Sequence, residues 1–160
     1  MPRFALGFAG SHVEVDDRLE GSEAALLARL RLNRRWELEL EAGGTEYDDS
    51  ARTDARLGAS AYFHFMPGAR LAPYLVAGVG ASRADLGNDV YVDQGYGELG
   101  AGLTLRLTER FHLAADLRAG VRGREEVEDT RLGLVGAPGV ETIADEEEFG
   151  RFRLVGLVYF

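Results

Sequence analysis

The sequence predicts an all-β fold: eight antiparallel strands closed into an up-and-down barrel that spans a membrane. Three observations carry this. Apolar side chains recur at every second position through most of the chain. The connections alternate between tight turns and longer acidic segments. Large apolar residues collect on one face of the strands, while charged and small residues collect on the other.

The strands are expected at 3-15, 22-32, 36-47, 54-66, 74-86, 95-107, 111-124 and 147-160. In the first, Phe4 lies on one face and Ala5 and Gly7 on the other. The second, "SEAALLARLRL", is rich in helix formers, and Leu26, Leu27 and Leu30 would share a helical face. Its continuation decides for a strand, because Ala28, Leu30 and Leu32 lead through "NRR" into Trp36, Leu38 and Leu40 with period 2 unbroken. In the third, "WELELEAGG", Trp36, Leu38, Leu40 and Ala42 oppose Glu37, Glu39 and Glu41; a helix would scatter both sets over every face. The fourth and fifth carry Arg56, Gly58, Ser60 and Gly78 on the polar face, with Phe65 on the apolar one. The sixth and seventh form a hairpin: Leu103, Leu105 and Leu107 alternate with Thr104 and Arg106, and Phe111, Leu113, Ala115 and Leu117 with His112, Ala114, Asp116 and Arg118. The eighth, "RFRLVGLVYF", alternates Phe152, Leu154, Gly156, Val158 and Phe160 against Arg151 and Arg153.

"NRR", "PGARLAP" and "TER" are short, whereas "DDRLEG", "DDSART", "GNDVYVDQ" and the stretch from Glu125 to Glu146 are longer and acidic. Short turns at one end and long loops at the other, over an even number of strands, is the layout of an outer-membrane-type barrel. Taking "NRR" as a three-residue turn sets Leu32 opposite Trp36, Arg31 opposite Glu37, Leu30 opposite Leu38 and Arg29 opposite Glu39. Taking "TER" likewise sets Leu107 opposite Phe111, Arg106 opposite His112 and Leu105 opposite Leu113. Each hairpin then has one apolar face and one polar face with opposite charges matched across it.

Such a polar face can point to water, around an apolar lipocalin-like cavity, or inward with the apolar face toward lipid. Small residues there (Ala5, Gly7, Gly58, Ser60, Gly78, Gly100, Gly102, Gly120) suit a narrow lumen that side chains must fill. On the apolar face, Phe4, Trp36, Phe65, Phe111 and Phe160 fall at the short-turn level, as in an interfacial aromatic girdle. Lipid outside is therefore favoured, and a soluble small-ligand binder is the alternative.

Composition narrows the function. The 160 residues suit one domain, 1-160. There is no cysteine, so thiol and disulfide chemistry are excluded. A net charge of -9 argues against nucleic acid as a partner. No apolar run is long enough for a membrane helix, and "MPRFALGFAG" lacks the layout of a signal peptide.

With these features the chain resembles the small outer-membrane barrels of Gram-negative bacteria, the OmpA transmembrane domain and OmpX-like group. The specific motif is the last strand, where that family carries alternating apolar residues ending in Phe as the signal read by the barrel-assembly machinery. Phe152, Leu154, Gly156, Val158 and Phe160 match it, with Val158 where Tyr is more usual. The resemblance implies an outer-membrane location, a monomer, and outer-membrane lipid and lipopolysaccharide as surroundings. It reaches only the barrel part of an OmpA-like protein.

The main constellation of charge is inward: Arg29, Arg31, Glu37, Glu39, Glu41, Arg56, Glu98, Arg106, Asp116, Arg118, Arg122, Arg151 and Arg153. Mixed signs are what a filled lumen requires, since buried charge is tolerable only when paired. Structural packing is the expected role; the sharper one, implied by the resemblance, is a gate whose Arg and Glu exchange partners to pass ions or water. His12, His64 and His112 lie on different strands without zinc spacing, and no metal or cofactor is expected. Some barrels of this membrane modify lipid A, which makes a Ser-His-acid set on the outer wall the enzyme alternative. Ser11 and His12 point to opposite faces, so a non-enzymatic, structural or surface-interaction protein is expected. The loop 125-146 offers carboxylates without calcium-site order, and an apolar patch at Leu132, Leu134 and Val135 open to an adhesion role.

Overall fold

The computed structural model describes residues 3–15, 19–47, 53–85, 91–124 and 146–160. The acidic loops at 16–18, 48–52, 86–90 and 125–145 lie outside the described residues, as does the patch at Leu132, Leu134 and Val135.

Eight strands follow one another in chain order: β1 (Phe4–Val15), β2 (Leu19–Arg31), β3 (Trp36–Tyr47), β4 (Thr53–His64), β5 (Leu71–Asp85), β6 (Tyr91–Arg106), β7 (Phe111–Arg124) and β8 (Glu146–Tyr159). Each pairs antiparallel with its sequence neighbour, and β8 returns to β1, so the sheet closes into a barrel without free edges. The register of the first short hairpin pairs Arg31 with Glu37, Leu30 with Leu38 and Arg29 with Glu39. The hairpin of β6 and β7 pairs Leu105 with Leu113 and Arg106 with His112. Both agree with the turn lengths read from the sequence.

The two three-residue turns use one device. Asn33 Oδ1 accepts from the amides of Arg35 at 2.8 Å and Trp36 at 3.0 Å. Thr108 Oγ1 accepts from Arg110 at 3.3 Å and Phe111 at 2.9 Å. A short polar side chain at the first turn position thus satisfies the amides that the ladder leaves unpaired. The turn between β4 and β5 instead bends through Gly68, whose φ of 104° is open to glycine.

Three strands begin three or more residues earlier than the sequence predicts: β2 at Leu19, β5 at Leu71 and β6 at Tyr91. Ladder pairing continues into residues that composition marks as loop, with Leu19 opposite Val15, Leu71 opposite Leu105 and Tyr91 opposite Asp85. Pro73 therefore sits inside β5, where its carbonyl accepts from the amide of Phe65 at 3.0 Å. Composition marks proline as a breaker, but cross-strand partners set where a strand stops.

Side chains alternate strictly between lumen and exterior. On β7 the outward set is Phe111, Leu113, Ala115, Leu117, Ala119 and Val121, without a polar residue. From Phe111 to Val121, at ~3.3 Å per residue on a strand tilted by ~40°, that run climbs about 25 Å, the height of a lipid-facing band. Above it the outward residues turn polar: His12, Ser22, Glu46, Arg83, Asp93 and Glu148. Below it the exposed Phe4, Trp36, Phe65, Phe111 and Phe160 all stand at the short-turn end. Phe63 joins them, edge-on to Trp36 and to Phe65 with ring centroids 5.1 and 5.4 Å apart. Apolar outside and charged inside is the reverse of a lipocalin-like binder, whose cavity would be apolar.

Candidate functional site: a charge-filled lumen

Because β-strands alternate, every second residue of eight strands is delivered to one narrow interior. Among the described residues this places seven buried carboxylates there (Glu23, Glu37, Glu39, Glu41, Asp54, Glu98, Asp116). Facing them are six buried guanidiniums (Arg29, Arg56, Arg118, Arg122, Arg151, Arg153) and the part-buried Arg31. The described interior is therefore near neutral in a chain of net charge -9.

Two carboxylates are hubs. Glu39 accepts from Arg29 Nε at 3.0 Å, Arg153 Nη2 at 3.1 Å and the Tyr62 hydroxyl at 2.7 Å. Glu98 accepts from Arg56 Nη2 at 3.1 Å, Arg151 Nη2 at 3.0 Å and Arg118 Nη1 at 2.5 Å. Arg151 also donates to Glu23 at 2.7 Å and Glu41 at 3.0 Å, and Arg153 pairs with Glu41 at 2.7 Å. Arg118 donates to Asp116 at 2.8 Å. Beyond pairs within a hairpin such as Arg29 with Glu39, the contacts of Arg151 and Arg153 with β3 and of Arg56 with Glu98 tie strands that are not ladder neighbours. Nearer the long-loop end, Arg122 stands 3.6 Å from Asp54.

The inward faces are cut to admit these side chains. A methyl on Gly58 or Gly80 would run into the Tyr96 hydroxyl, and one on Gly100 would meet Arg118. The described tyrosine side chains turn inward and serve the network: Arg29 stacks over Tyr62 and Arg56 over Tyr96 at 4.1 Å, and Arg31 over Tyr159 at 4.5 Å. The Tyr74 hydroxyl donates to Asp116 at 2.8 Å. Phe and Trp are mostly outside, where no hydroxyl has to be satisfied.

All thirteen charged positions singled out in the sequence turn inward, but they do not form a single cluster. Eleven belong to the paired network, and Arg122 pairs with Asp54. Arg106 stands apart at the short-turn mouth, donating to the Gly68 carbonyl at 3.4 Å. Glu23, Asp54 and the tyrosines Tyr62, Tyr74, Tyr96 and Tyr159 take part without having been singled out. Extending the inward alternation from Arg29 to Glu23, from Arg56 to Asp54, from Ser60 to Tyr62, from Gly78 to Tyr74, from Glu98 to Tyr96 and from Arg153 to Tyr159 is the signal that finds them. Phe152, Leu154, Gly156, Val158 and Phe160 occupy the outward face of β8.

The histidines separate. His64 and His112 are buried at the short-turn mouth, while His12 faces outward. The β1–β2 register sets His12 opposite Ser22, not Ser11, with both exposed above the apolar band. Ser11 turns inward, its hydroxyl without a hydrogen-bond partner. Among the described residues no group of His, Cys, Asp and Glu is arranged to hold a metal ion.

No family model and no curated protein matches the sequence. Solved structures match its shape. Neisserial surface protein A superposes with a TM-score of 0.76 at 19% identity, over 98% of this chain and 97% of that one. The fold is that of the small outer-membrane barrels. The N-terminal β-barrel domain of OprF from Pseudomonas aeruginosa is similar at a TM-score of 0.54 and 19% identity, over 98% and 99% of the two chains. OprG, an outer membrane protein of the same organism, is similar at 0.52 and 12%, over 99% and 95%. At these identities the likeness is one of fold: a closed eight-stranded barrel of the outer-membrane type, whose short turns lie at the end that such barrels turn to the periplasm.

Proposed function

We propose that the protein works in the bacterial outer membrane as a monomeric, non-enzymatic barrel. Its role is structural or one of surface interaction, and its lumen passes at most a small gated current. The observation that carries this is the filled interior: guanidiniums and carboxylates are cross-paired through the barrel, and Arg29, Tyr62, Glu39, Arg153 and Asp116 are each less than 2% exposed. A permanent pore would need those pairs broken, at a cost of several kcal/mol for each uncompensated charge. The outward alternation of β8 from Phe152 to Phe160 supports recognition by the barrel-assembly machinery. The apolar band with polar residues above it supports contact with outer-membrane lipid and lipopolysaccharide.

Planar-bilayer recording tests the gate. Wild-type barrel is expected to stay closed with rare small openings. Replacing Glu98 and Arg118 together by Ala removes two side chains that fill the lumen and the ion pair between them, and should raise both the frequency and the size of openings. A large steady wild-type current would overturn the closed-lumen proposal.

A second reading rests on one observation, the outward pairing of His12 with Ser22 beside Glu14 and Glu20 at the outer border of the band. No hydrogen bond joins the two side chains in the described structure. Incubation with lipopolysaccharide is expected to leave its acyl chains unchanged; acyl loss that stops in Ser22→Ala would make the protein a lipid-modifying enzyme.

A further inference from the structure

We propose that the short-turn mouth of the lumen is a binding site for a phosphate group. A cavity of about 250 Å³ lies there, between the turns and the charge network. At ~30 Å³ per water, that is room for a phosphate group and a few waters. Three guanidiniums line it, those of Arg31, Arg34 and Arg106, against a single carboxylate, Glu37.

Glu37 is already committed. It accepts from Arg31 Nε at 2.7 Å and from the Tyr159 hydroxyl at 3.1 Å, and it stands 3.5 Å from Arg29. The potential left in the cavity is therefore positive. On the rim Arg35, Arg70 and Arg110 in the three turns outnumber Glu109, so the balance there is also positive and raises the local concentration of anions.

The second observation is independent of charge. Thr104, His64 and His112 are 7%, 6% and 3% exposed, and Thr104 Oγ1, His64 Nε2 and His112 Nε2 have no hydrogen-bond partner. His64 Nε2 lies 3.4 Å from Glu37, within ion-pair reach, which leaves Thr104 Oγ1 and His112 Nε2 as the unmatched atoms. All three side chains line this one cavity. Buried polar atoms are normally paired, so the unmatched Thr104 and His112 atoms at one place mark where a ligand's oxygens would sit. A hydroxyl, two imidazole nitrogens and the Arg106 fork can all donate, and a phosphate group offers acceptor oxygens in every direction. A cation would meet the guanidiniums instead.

That this mouth faces the periplasm rests on the membrane orientation above; the site itself does not. The source of the phosphate is either free in solution or a phospholipid headgroup, and two titrations separate them. The purified barrel in a non-ionic detergent is titrated calorimetrically with inorganic phosphate and, separately, with phosphatidylglycerol added to the same micelles. Saturable binding is expected, weakened about tenfold in Arg106→Gln, where a charge-assisted fork is lost. Thr104→Val should weaken it several-fold, and Arg35→Gln, on the rim outside the cavity, less than about twofold. Heat-modifiable gel mobility confirms that each variant is folded; if Arg106→Gln does not fold, the near-isosteric Thr104→Val decides alone. Binding of inorganic phosphate with this variant pattern supports a free anion, and binding of phosphatidylglycerol alone with the same pattern supports a headgroup. Absence of saturable binding in both titrations, or equal losses in Arg35→Gln and Arg106→Gln, overturns the site. Neither result depends on whether the barrel needs detergent, so failure here is distinct from failure of the membrane reading.

Discussion

Glu98→Gln is expected to destabilise the folded barrel by about 3 kcal/mol, read as a shift of the urea unfolding midpoint in lipid vesicles. The substitution keeps size and shape and removes the charge shared by Arg56, Arg118 and Arg151. Breaking a buried ion pair from one side costs ~3–5 kcal/mol, because the partner stays buried and uncompensated. The lower end applies here. Arg56 keeps Glu23 at 3.2 Å, Arg151 keeps Glu23 and Glu41, and Arg118 keeps Asp116. Arg118→Met in the same chain removes one stranded charge, so the double variant should lose less than the sum of the singles by about 0.5–3 kcal/mol. Glu46→Gln, outward above the band, should stay within about 0.5 kcal/mol of wild type. Equal, small effects at Glu98 and Glu46 would mean that the interior is open to water and the network contributes little.

Leu117→Arg has the opposite logic. Leu117 is 65% exposed and sits in the middle of the apolar run of β7. On a surface facing water, an arginine at so exposed a position would change stability by less than about 0.5 kcal/mol. Facing hydrocarbon it should cost ~2–4 kcal/mol near the midplane, falling to ~0–1 at the interface. Leu107, beside the short-turn aromatics and also exposed, is the matched control. A loss at position 117 several times that at 107, measured by unfolding in vesicles, is the expected outcome, since both side chains are exposed, at 65% and 41%, and they differ chiefly in depth.

Much of this architecture was legible because the periodicity of β-strands is two and needs no tertiary information. Once Arg31 is set opposite Glu37 by a three-residue turn, the faces of β2 and β3 follow, and each further strand inherits its parity. The same rule carries the thirteen inward charges and the five short-turn aromatics. Strand ends were less legible: Leu19, Leu71 and Tyr91 look like loop residues until the partner strand supplies their hydrogen bonds. The partners within the lumen were not legible at all. Parity shows that Arg153 points inward, but that it reaches Glu39 and Glu41 on β3, rather than only Asp116 beside it, depends on how the closed barrel brings β8 across from β3. Nor does sequence spacing reveal that His64, Thr104 and His112, from three different strands, share one cavity.

A lipid-facing exterior around a charged lumen is tested most directly by the purified chain's dependence on detergent, followed together with its gel mobility before and after boiling. The expected result is a monodisperse folded barrel only in detergent or lipid, migrating faster unboiled than boiled, with aggregation when detergent is withdrawn. A chain that stays folded and monodisperse in plain buffer would contradict it, because the large leucine and aromatic side chains exposed along all eight strands would then have to face water.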